Sequence, residues 1–197
     1  NKAKLMKNLN NVLPTKLAHK HKHSIFGILV IAFTLGISAC SRTTLDDYRD
    51  TTPQLDLRTF FEGSLMAYGL LQDRSGKVTR RFEATIEASW EGEQGTLVEH
   101  FIYDDGEEQD RIWQLTHQGN GRYSGVAGDV IGTANGEISG AAFNWVYSLE
   151  VPYGDGTIVV NLDDWLFLVD EDHIINRTVL RKFGFRVGEL SLVIEKV

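Results

Sequence analysis

Cysteine is nearly missing from this sequence, since Cys40 is the single one among 197 residues. One thiol excludes an intrachain disulfide framework and any metal site built from several cysteines. Proline is also scarce, with three residues, while hydrophobic residues make up 42% and charged residues 24% of the chain. That composition is typical of a globular protein rather than a collagen-like or disordered one. The length allows one domain with a targeting segment, but not two full domains.

Acidic residues are missing from residues 1–39, which carry six lysines. Residues 40–197 therefore hold 14 of the 20 lysines and arginines and all 27 acidic residues, a net charge of −13. A chain this acidic repels the phosphates of nucleic acids, so we predict no nucleic-acid partner. The same sign disfavours an anionic membrane face.

Long apolar runs are missing as well. The apolar run Ile25–Ala39 has 15 residues, whereas a membrane-spanning helix needs about 20. A lysine-rich leader before the run and small residues after it are typical of a secretory signal peptide. The run ends in Ile37-Ser38-Ala39-Cys40, which resembles the lipobox of bacterial lipoproteins. We predict that residues 1–39 are a lipoprotein signal peptide.

Cys40 is the predicted lipidation site. Its thiolate readily forms a thioether with a lipid donor, and two or three acyl chains, at about 0.8 kcal/mol per buried CH₂, give a durable membrane anchor. Ser41 rather than aspartate follows, and by resemblance to known sorting behaviour this favours the outer membrane. We therefore expect a bacterial outer-membrane lipoprotein that faces the periplasm. The alternative is that Cys40 is a buried small residue at the end of an uncleaved anchor.

Residues 40–54 are polar, contain Pro53 and lack periodicity, which predicts a lipidated cysteine followed by a flexible tether. Leu55–Phe61 fits a short helix or turn. After it the apolar period becomes two, most clearly in Arg80–Trp90 and Phe143–Leu149. Turn signals rich in Gly, Asn and Asp recur every 10–20 residues. We predict nine or ten antiparallel strands joined by short hairpins, since no stretch is long enough for a crossover helix.

A row of nine or ten strands would leave two exposed edges, and closure into a barrel removes them. We therefore predict that residues 55–197 form one all-β domain, an antiparallel up-and-down meander closed as a lipocalin-like barrel. A two-sheet β-sandwich is the alternative. Phe61-Glu62-Gly63 resembles the motif at the start of lipocalin barrels, although Leu65 stands where that motif has tryptophan. A barrel of about eight to ten strands is either filled by side chains or holds one small ligand.

Few residues point to catalysis. Residues 103–108 form the densest acidic cluster, but Asp105-Gly106 is a hairpin signal and the spacing is not that of a calcium loop. The histidines outside the leader lack the spacing of zinc ligands. No G-x-S-x-G motif is present, and the sole cysteine is assigned to the anchor. We expect no metal, no cofactor and no catalytic residue, and therefore a protein that is not an enzyme.

Four tryptophans on separate strands and one polar cluster are the candidate ligand-pocket residues. The indoles suit a cavity for an acyl chain or a ring, although core filling is the alternative. The polar cluster is expected to pair two aspartates with basic residues of the next strand, facing inward as a polar floor or outward as cross-strand ion pairs. The candidate residues are Trp90, Trp113, Trp145, Trp165, Asp163, Asp164, Asn176 and Arg177.

Three groups of segments resemble those of a known family. They are Asp73–Val78 with Arg81-Phe82, Tyr103–Glu107 with Arg111 and Trp113, and Asp163–Trp165 with Asn176-Arg177 and Lys182–Gly184. In order and spacing they are similar to the hallmark segments of a proteobacterial lipoprotein family catalogued as domain of unknown function 3833, over about residues 45–196. The resemblance implies a lipidated protein and favours a lipid-related role. It carries over no catalytic residue.

The sequence thus leads to three functional hypotheses, of which the third, an enzyme that uses Asp163, Asp164, Arg177 and His173, has the weakest support. In the first, an outer-membrane-anchored barrel binds or carries a fatty acid or another lipophilic small molecule. In the second, the barrel is packed solid and serves as a non-catalytic scaffold for a protein partner in the envelope. A hollow interior favours the first hypothesis, and a filled interior favours the second.

Overall fold

The computed structural model describes residues 43–197, so the predicted signal peptide and the predicted lipidation site at Cys40 lie outside the described residues. A 3-10 helix and one short α-helix (α1) precede the strands, and neither is long and apolar enough to cross a membrane. The elements are the 3-10 helix Leu45–Tyr48, α1 Leu57–Phe60, β1 Gly63–Asp73, β2 Val78–Glu91, β3 Gln94–Tyr103, β4 Glu108–His117, β5 Arg122–Val126, β6 Val130–Ser139, β7 Ala142–Tyr153, β8 Gly156–Leu168, β9 His173–Lys182 and β10 Phe185–Lys196.

The ten strands form one closed sheet. Each strand pairs antiparallel with the next one in sequence, and β1 closes the ring by pairing with β10 from Leu65 opposite Lys196 to Asp73 opposite Gly188. The predicted all-β, up-and-down, lipocalin-like barrel is therefore confirmed, and the β-sandwich alternative is excluded. Closure satisfies the backbone groups that an open sheet would leave at its two edges.

Strand alternation explains which side chains fill the barrel. In β2, Ala84, Ile86 and Ala88 are buried, whereas the residues between them are exposed. The acidic segment after β3 forms the predicted hairpin turn, with Gly106 at a φ of 85°, a conformation that glycine adopts without steric cost. The periodicity of two therefore becomes an apolar interior and a polar outer wall.

One end of the barrel, the closed end, is plugged by α1 and its flanks. Leu57, Phe60 and Phe61 are buried there, each contributing about 1.5–3 kcal/mol relative to full exposure. The Asp56 side chain caps the helix by accepting from the backbone N–H of Arg58 at 2.9 Å. Trp90 Nε1 donates to the carbonyl of Phe61 at 2.8 Å and so fixes the plug against β2.

The segment before α1 differs from the flexible tether predicted for residues 40–54. The ring of Tyr48 lies 5.7 Å from that of Trp165 and 5.4 Å from that of Phe167 on the outer wall. Thr51 Oγ1 accepts from the backbone N–H of Ala141 at 2.9 Å. Gly140 permits this approach, because a Cβ there would lie 2.0 Å from the carbonyl oxygen of Tyr48. Residues 43–54 thus lie against the barrel, held by partners distant in sequence that local polarity does not indicate.

Candidate functional site

The barrel interior contains a cavity of about 150 Å³ above the plug. Ala67 and Ala84 are direct partners in the β1–β2 pairing, and their small side chains leave room where larger ones would fill the barrel. Most of the cavity wall is apolar. The cavity wall includes Leu57, Phe61, Ala67, Ala84, Glu99, Arg111, Trp113, Trp145, Tyr147, Asp164 and Asn176.

Aromatic side chains form one side of the cavity. The rings of Trp113 and Trp145 lie 5.8 Å apart in an edge-to-face arrangement, and Tyr147 stands 5.5 Å from Trp113. Gly136 makes this packing possible, since a Cβ there would lie 2.3 Å from Trp145 and 2.4 Å from Phe143. The result is a rigid aromatic wall facing the two alanines.

Polar side chains cross the barrel interior at the far side of the cavity, and we name them the polar belt. The belt lies on β3, β4, β7, β8, β9 and the β5–β6 turn, and all of its members face inward. Its residues are Glu99, Arg111, Asp129, Tyr147, Asp164, Asn176 and Thr178.

Arg111 is the cation of the polar belt. Its Nη2 donates to Asp129 Oδ2 at 2.7 Å and its Nε donates to the same carboxylate at 3.0 Å. Glu99, directly opposite on β3, has Oε2 at 3.6 Å from Nη1 of Arg111. That distance is too long for a hydrogen bond, and Glu99 Oε2 is buried without a hydrogen-bond partner. The guanidinium of Arg111 is thus hydrogen-bonded to Asp129, and Glu99 Oε2 remains a free hydrogen-bond acceptor.

Asp164 is the second buried acid of the belt. It accepts hydrogen bonds from Asn176 Nδ2, from Thr178 Oγ1 at 2.8 Å and from the Tyr147 hydroxyl at 3.2 Å. Burial raises the pKa of Asp164, and these three donors oppose the shift only in part. The donors satisfy the carboxyl oxygens of Asp164 and hold it in place.

Burial also shifts the pKa values of the other belt residues. Burial raises the pKa of Glu99 to about 7, although the positive charge of Arg111 opposes this shift. Burial lowers the pKa of Arg111, but Glu99 and Asp129 more than compensate, so its net pKa is raised. Glu99 therefore titrates near neutral pH beside the Arg111–Asp129 salt bridge.

The barrel opens to solvent at the end opposite the plug, which we name the open end. On β7 and β8, beyond the belt, Leu149, Val160 and Leu162 form a second buried apolar cluster, whereas Glu99, Arg111 and Asp129 keep exposed side-chain fractions of 14%, 18% and 24%. At the rim, the guanidinium of Arg80 lies 3.5 Å from the ring centroid of Tyr103 and pairs with Asp105 at 2.8 Å. The more exposed path from this end to the cavity therefore runs beside Arg111 and Asp129.

Replacing Glu99 with glutamine is expected to remove a pH-dependent loss of stability. An acid whose folded pKa exceeds its unfolded value stabilises the fold at low pH and loses that contribution as pH rises through the folded pKa. The pKa of Glu99 in the folded protein is about 7. The free energy of unfolding of wild type should therefore fall by up to about 3 kcal/mol between pH 5 and pH 8, and this decrease should be absent in E99Q. Urea unfolding at both pH values measures the difference.

The matched control is Glu83→Gln on the exposed face of β2, which should leave the pH dependence unchanged. His100 and His173, whose pKa values are raised by hydrogen bonds to Asp110 and Asp170, titrate equally in wild type and in both variants. A pH dependence in E99Q equal to that of wild type would contradict the assignment.

The structure brings four of the eight predicted pocket residues to the cavity, namely Trp113, Trp145, Asp164 and Asn176. Trp90 points inward but lies at the closed end, where its indole binds the plug. Trp165, Asp163 and Arg177 lie on the outer wall. Trp165 stacks on Phe167 at 5.9 Å and donates to Asp163 Oδ1 at 3.0 Å.

The register of β8 and β9 differs from the acid–base ladder expected between them. Adjacent residues of a strand face opposite sides, so Asp163 and Asp164 separate, and in the observed register Asp164 stands opposite Thr178. Arg177 instead pairs on the outside with Glu189 at 2.7 Å. The inward aspartate therefore meets neutral donors rather than a cation.

Sequence reasoning missed Glu99, Arg111, Asp129 and Tyr147 as site residues. The sequence does indicate a role for Arg111, because it lies on the same strand face as Trp113 and Leu115. A charge on such an apolar face requires a buried partner. Asp129 lies in a turn with no periodicity, and its role follows only from the closed barrel. Within residues 43–197, no group of three potential ligands is arranged to hold a metal ion.

Comparison with known sequences gives one family match. Residues 34–196 match the family described as Protein of unknown function (DUF3833). The chain belongs to this family. The expected resemblance to DUF3833 is therefore confirmed, and the match spans every strand of the barrel. No curated protein matches the DUF3833 chain significantly.

Solved structures show a similar fold. The S-type phycobiliprotein lyase CPES from Guillardia theta is 7% identical, with a TM-score of 0.51, covering 79% of the DUF3833 chain and 97% of the lyase chain. A de novo designed fluorescence-activating β-barrel is 11% identical with a TM-score of 0.39, over 73% of the DUF3833 chain and 99% of the designed chain. At these identities the likeness concerns the barrel fold alone.

Proposed function

We propose that this DUF3833 barrel binds and carries a lipophilic small molecule whose polar end donates a hydrogen bond. The observation that carries the proposal is an apolar cavity bounded by the free acceptor Glu99 Oε2. An apolar cavity with a few convergent polar groups is the usual form of a small-molecule site. A buried acceptor without a partner costs about 1–3 kcal/mol, which a ligand donor would recover.

The apolar cavity sets the kind of ligand body. A cavity of about 150 Å³ is comparable to an engineered apolar cavity that stays dry and binds benzene. It therefore accommodates one ring or a short run of methylenes between the Ala67–Ala84 wall and the aromatic wall. Each buried CH₂ contributes about 0.8 kcal/mol. The remainder of a longer ligand extends through the belt toward the open end.

The charges of the polar belt set the kind of ligand head. Arg111 is engaged by Asp129, and the other titratable side chains beside it are Glu99, Tyr147 and Asp164. A carboxylate entering this acid-rich site loses hydration without gaining a free cation. A hydroxyl or an amine can donate to Glu99 instead. The fatty acid expected from the sequence fits in its protonated form.

The cellular setting is part of the same proposal. The lipobox-like segment ending at Cys40 supports a lipid anchor, and Ser41 supports the outer membrane with the barrel in the periplasm. The cavity favours a carrier over a scaffold with a solid core. Asp164 is fully engaged with neutral donors, which supports binding rather than catalysis.

A displacement assay tests the ligand class. The protein used begins at Thr43 and contains every described strand and the described core. We expect N-phenyl-1-naphthylamine, a neutral probe with an N–H donor, to bind and fluoresce. Dodecan-1-ol should displace it at pH 8 at least about tenfold more tightly than dodecanoate, a difference of about 1.4 kcal/mol.

The difference between alcohol and carboxylate should shrink at pH 5, because both Glu99 and dodecanoate gain protons there. In the E99Q variant the alcohol should lose affinity, because the carboxylate acceptor is replaced. Equal displacement by dodecanoate at pH 8 would contradict the proposed ligand head. No binding of the probe at any pH would contradict the proposed function as a whole.

A further inference from the structure

Two hairpin tips at the open end carry exposed aromatic rings. Phe183 in the β9–β10 turn and Phe185 at the start of β10 are 84% and 77% exposed, and Tyr153 at the end of β7 is 72% exposed. The two hairpins are neighbours because β8 pairs with β9. Single exposed apolar residues are ordinary, but grouped ones mark interaction sites.

Phe183 has a backbone conformation that is unusual for phenylalanine. Phe183 and Gly184 form a two-residue turn in which both φ angles are positive, at 50° and 81°. Turns of this type favour Asn or Gly at the first position, since a bulky residue with positive φ is strained. Within the described part of the chain, the ring of Phe183 has one cation–π contact, with Lys182 at 4.8 Å. Packing within the barrel therefore does not account for an aromatic residue at this position.

Positive charge surrounds the aromatic tips, against the net charge of −13 for residues 40–197. Residues 173–188 contain four lysines and arginines and no acidic residue, although the next residue, Glu189, pairs with Arg177 and Arg186. The adjacent β1–β2 turn, beside β10 in the barrel, adds Arg74 and Lys77. Among residues 43–197, Arg74, Lys77, Arg181 and Lys182 form no salt bridge with a carboxylate.

The densest group of acidic residues at the open end lies on the other side, in the β3–β4 turn, whereas the docking side carries Asp73 at the end of β1 and Asp155 in the β7–β8 turn. In the β3–β4 turn, Asp104, Asp105 and Glu107 pair with Arg80 and Arg81. The overall negative charge predicts repulsion from an anionic membrane face. This repulsion does not apply to the β7–β10 side. Charge separation orients the protein so that the aromatic tips meet a negative surface first.

We propose that these tips dock the open end of the barrel onto a phospholipid bilayer that contains anionic lipids. Aromatic side chains are favoured at the level of the headgroups, and lysine and arginine near an anionic leaflet add attraction. The docking surface consists of Tyr153, Phe183 and Phe185 with the basic residues Arg74, Lys77, Arg181 and Lys182. It places the mouth of the cavity against the bilayer. Membrane docking goes beyond the proposed ligand binding, and either can be refuted without the other.

The tips lie at the opposite end of the barrel from the beginning of the described chain. The 3-10 helix and Thr51 contact the outer wall near the closed end. Docking through the tips is therefore testable with the protein that begins at Thr43. Flotation with vesicles of phosphatidylcholine, with and without phosphatidylglycerol, measures the partition coefficient. We expect binding that increases with phosphatidylglycerol and decreases with salt.

The decisive variant is Phe183→Asn combined with Phe185→Ser. Asparagine tolerates positive φ, so the turn is retained or strengthened and unfolding does not explain a loss. We expect vesicle partitioning to decrease at least about tenfold, as two exposed rings are removed. Arg181→Gln should lower partitioning only with phosphatidylglycerol, by about fivefold. Probe binding in the cavity should be unchanged in both variants.

The matched control is Val98→Ser combined with Ile112→Ser, which removes two exposed apolar side chains from the wall. This control should float like wild type. If wild type does not float, or if the tip variant floats as well as the control, the docking inference is overturned, whether or not a protein partner binds the tips. In that case normal probe binding leaves the proposed function intact. If wild type does not bind the probe, the proposed function is overturned, and the flotation result still decides the docking inference.

Discussion

Replacing Arg111 with methionine is expected to destabilise the barrel by about 3 kcal/mol at pH 8. The substitution keeps an unbranched apolar stem but leaves the Asp129 and Glu99 carboxylates facing the interior without their cation. Removing one partner of a buried pair leaves the other charge desolvated and uncompensated. The loss should shrink toward pH 5 as Glu99 becomes protonated. Urea unfolding monitored by tryptophan fluorescence measures both values.

Arg81→Met is the matched control. Arg81 pairs with Asp104 at 2.9 Å, but its side chain is largely exposed, and exposed pairs contribute about 0–1 kcal/mol. A loss in R111M no greater than that in R81M would show that the polar belt is solvated, and the account of its electrostatics would be wrong.

Filling the cavity is the second change with a large expected effect. In the Ala67→Phe variant, a ring grows into the space between β1 and the aromatic wall. We expect affinity for N-phenyl-1-naphthylamine to fall at least about tenfold, because the ring occupies the space of the ligand. Stability should change by no more than about 1–3 kcal/mol, the usual cost of overpacking. Fluorescence titration and urea unfolding of the same preparation separate the two effects.

Val98→Phe provides the control for added volume. Val98 is exposed on the outer face of β3, so the same enlargement leaves the cavity empty and probe affinity should match that of wild type. Unchanged affinity in A67F would mean that the probe binds elsewhere, for instance at the aromatic hairpin tips.

The architecture could be predicted because its determinants are local. Strict alternation over Arg80–Trp90 identifies a strand with one buried face, and the hairpin signals set the antiparallel order. Closure followed from the cost of unpaired edges. The position of Tyr48 on the outer wall could not be predicted, because its partners Trp165 and Phe167 are more than a hundred residues away in sequence.

The candidate site was only half predictable because its contacts depend on register. The pair Asp163-Asp164 is indistinguishable in sequence, yet one residue faces solvent and the other lies in the polar belt. A shift of one residue would exchange the two. Partner choice is equally non-local, since Arg111 pairs with Asp129 across a neighbouring turn rather than with the acidic cluster before it.

The position of bromine in crystals grown with 6-bromohexan-1-ol tests the hollow interior most directly. The anomalous signal should place the bromine in the apolar cavity between Ala67 and Trp145, with the hydroxyl within hydrogen-bond distance of Glu99. Bromine found solely on the outer wall or at the hairpin tips, with the interior of the barrel unchanged, would contradict the account.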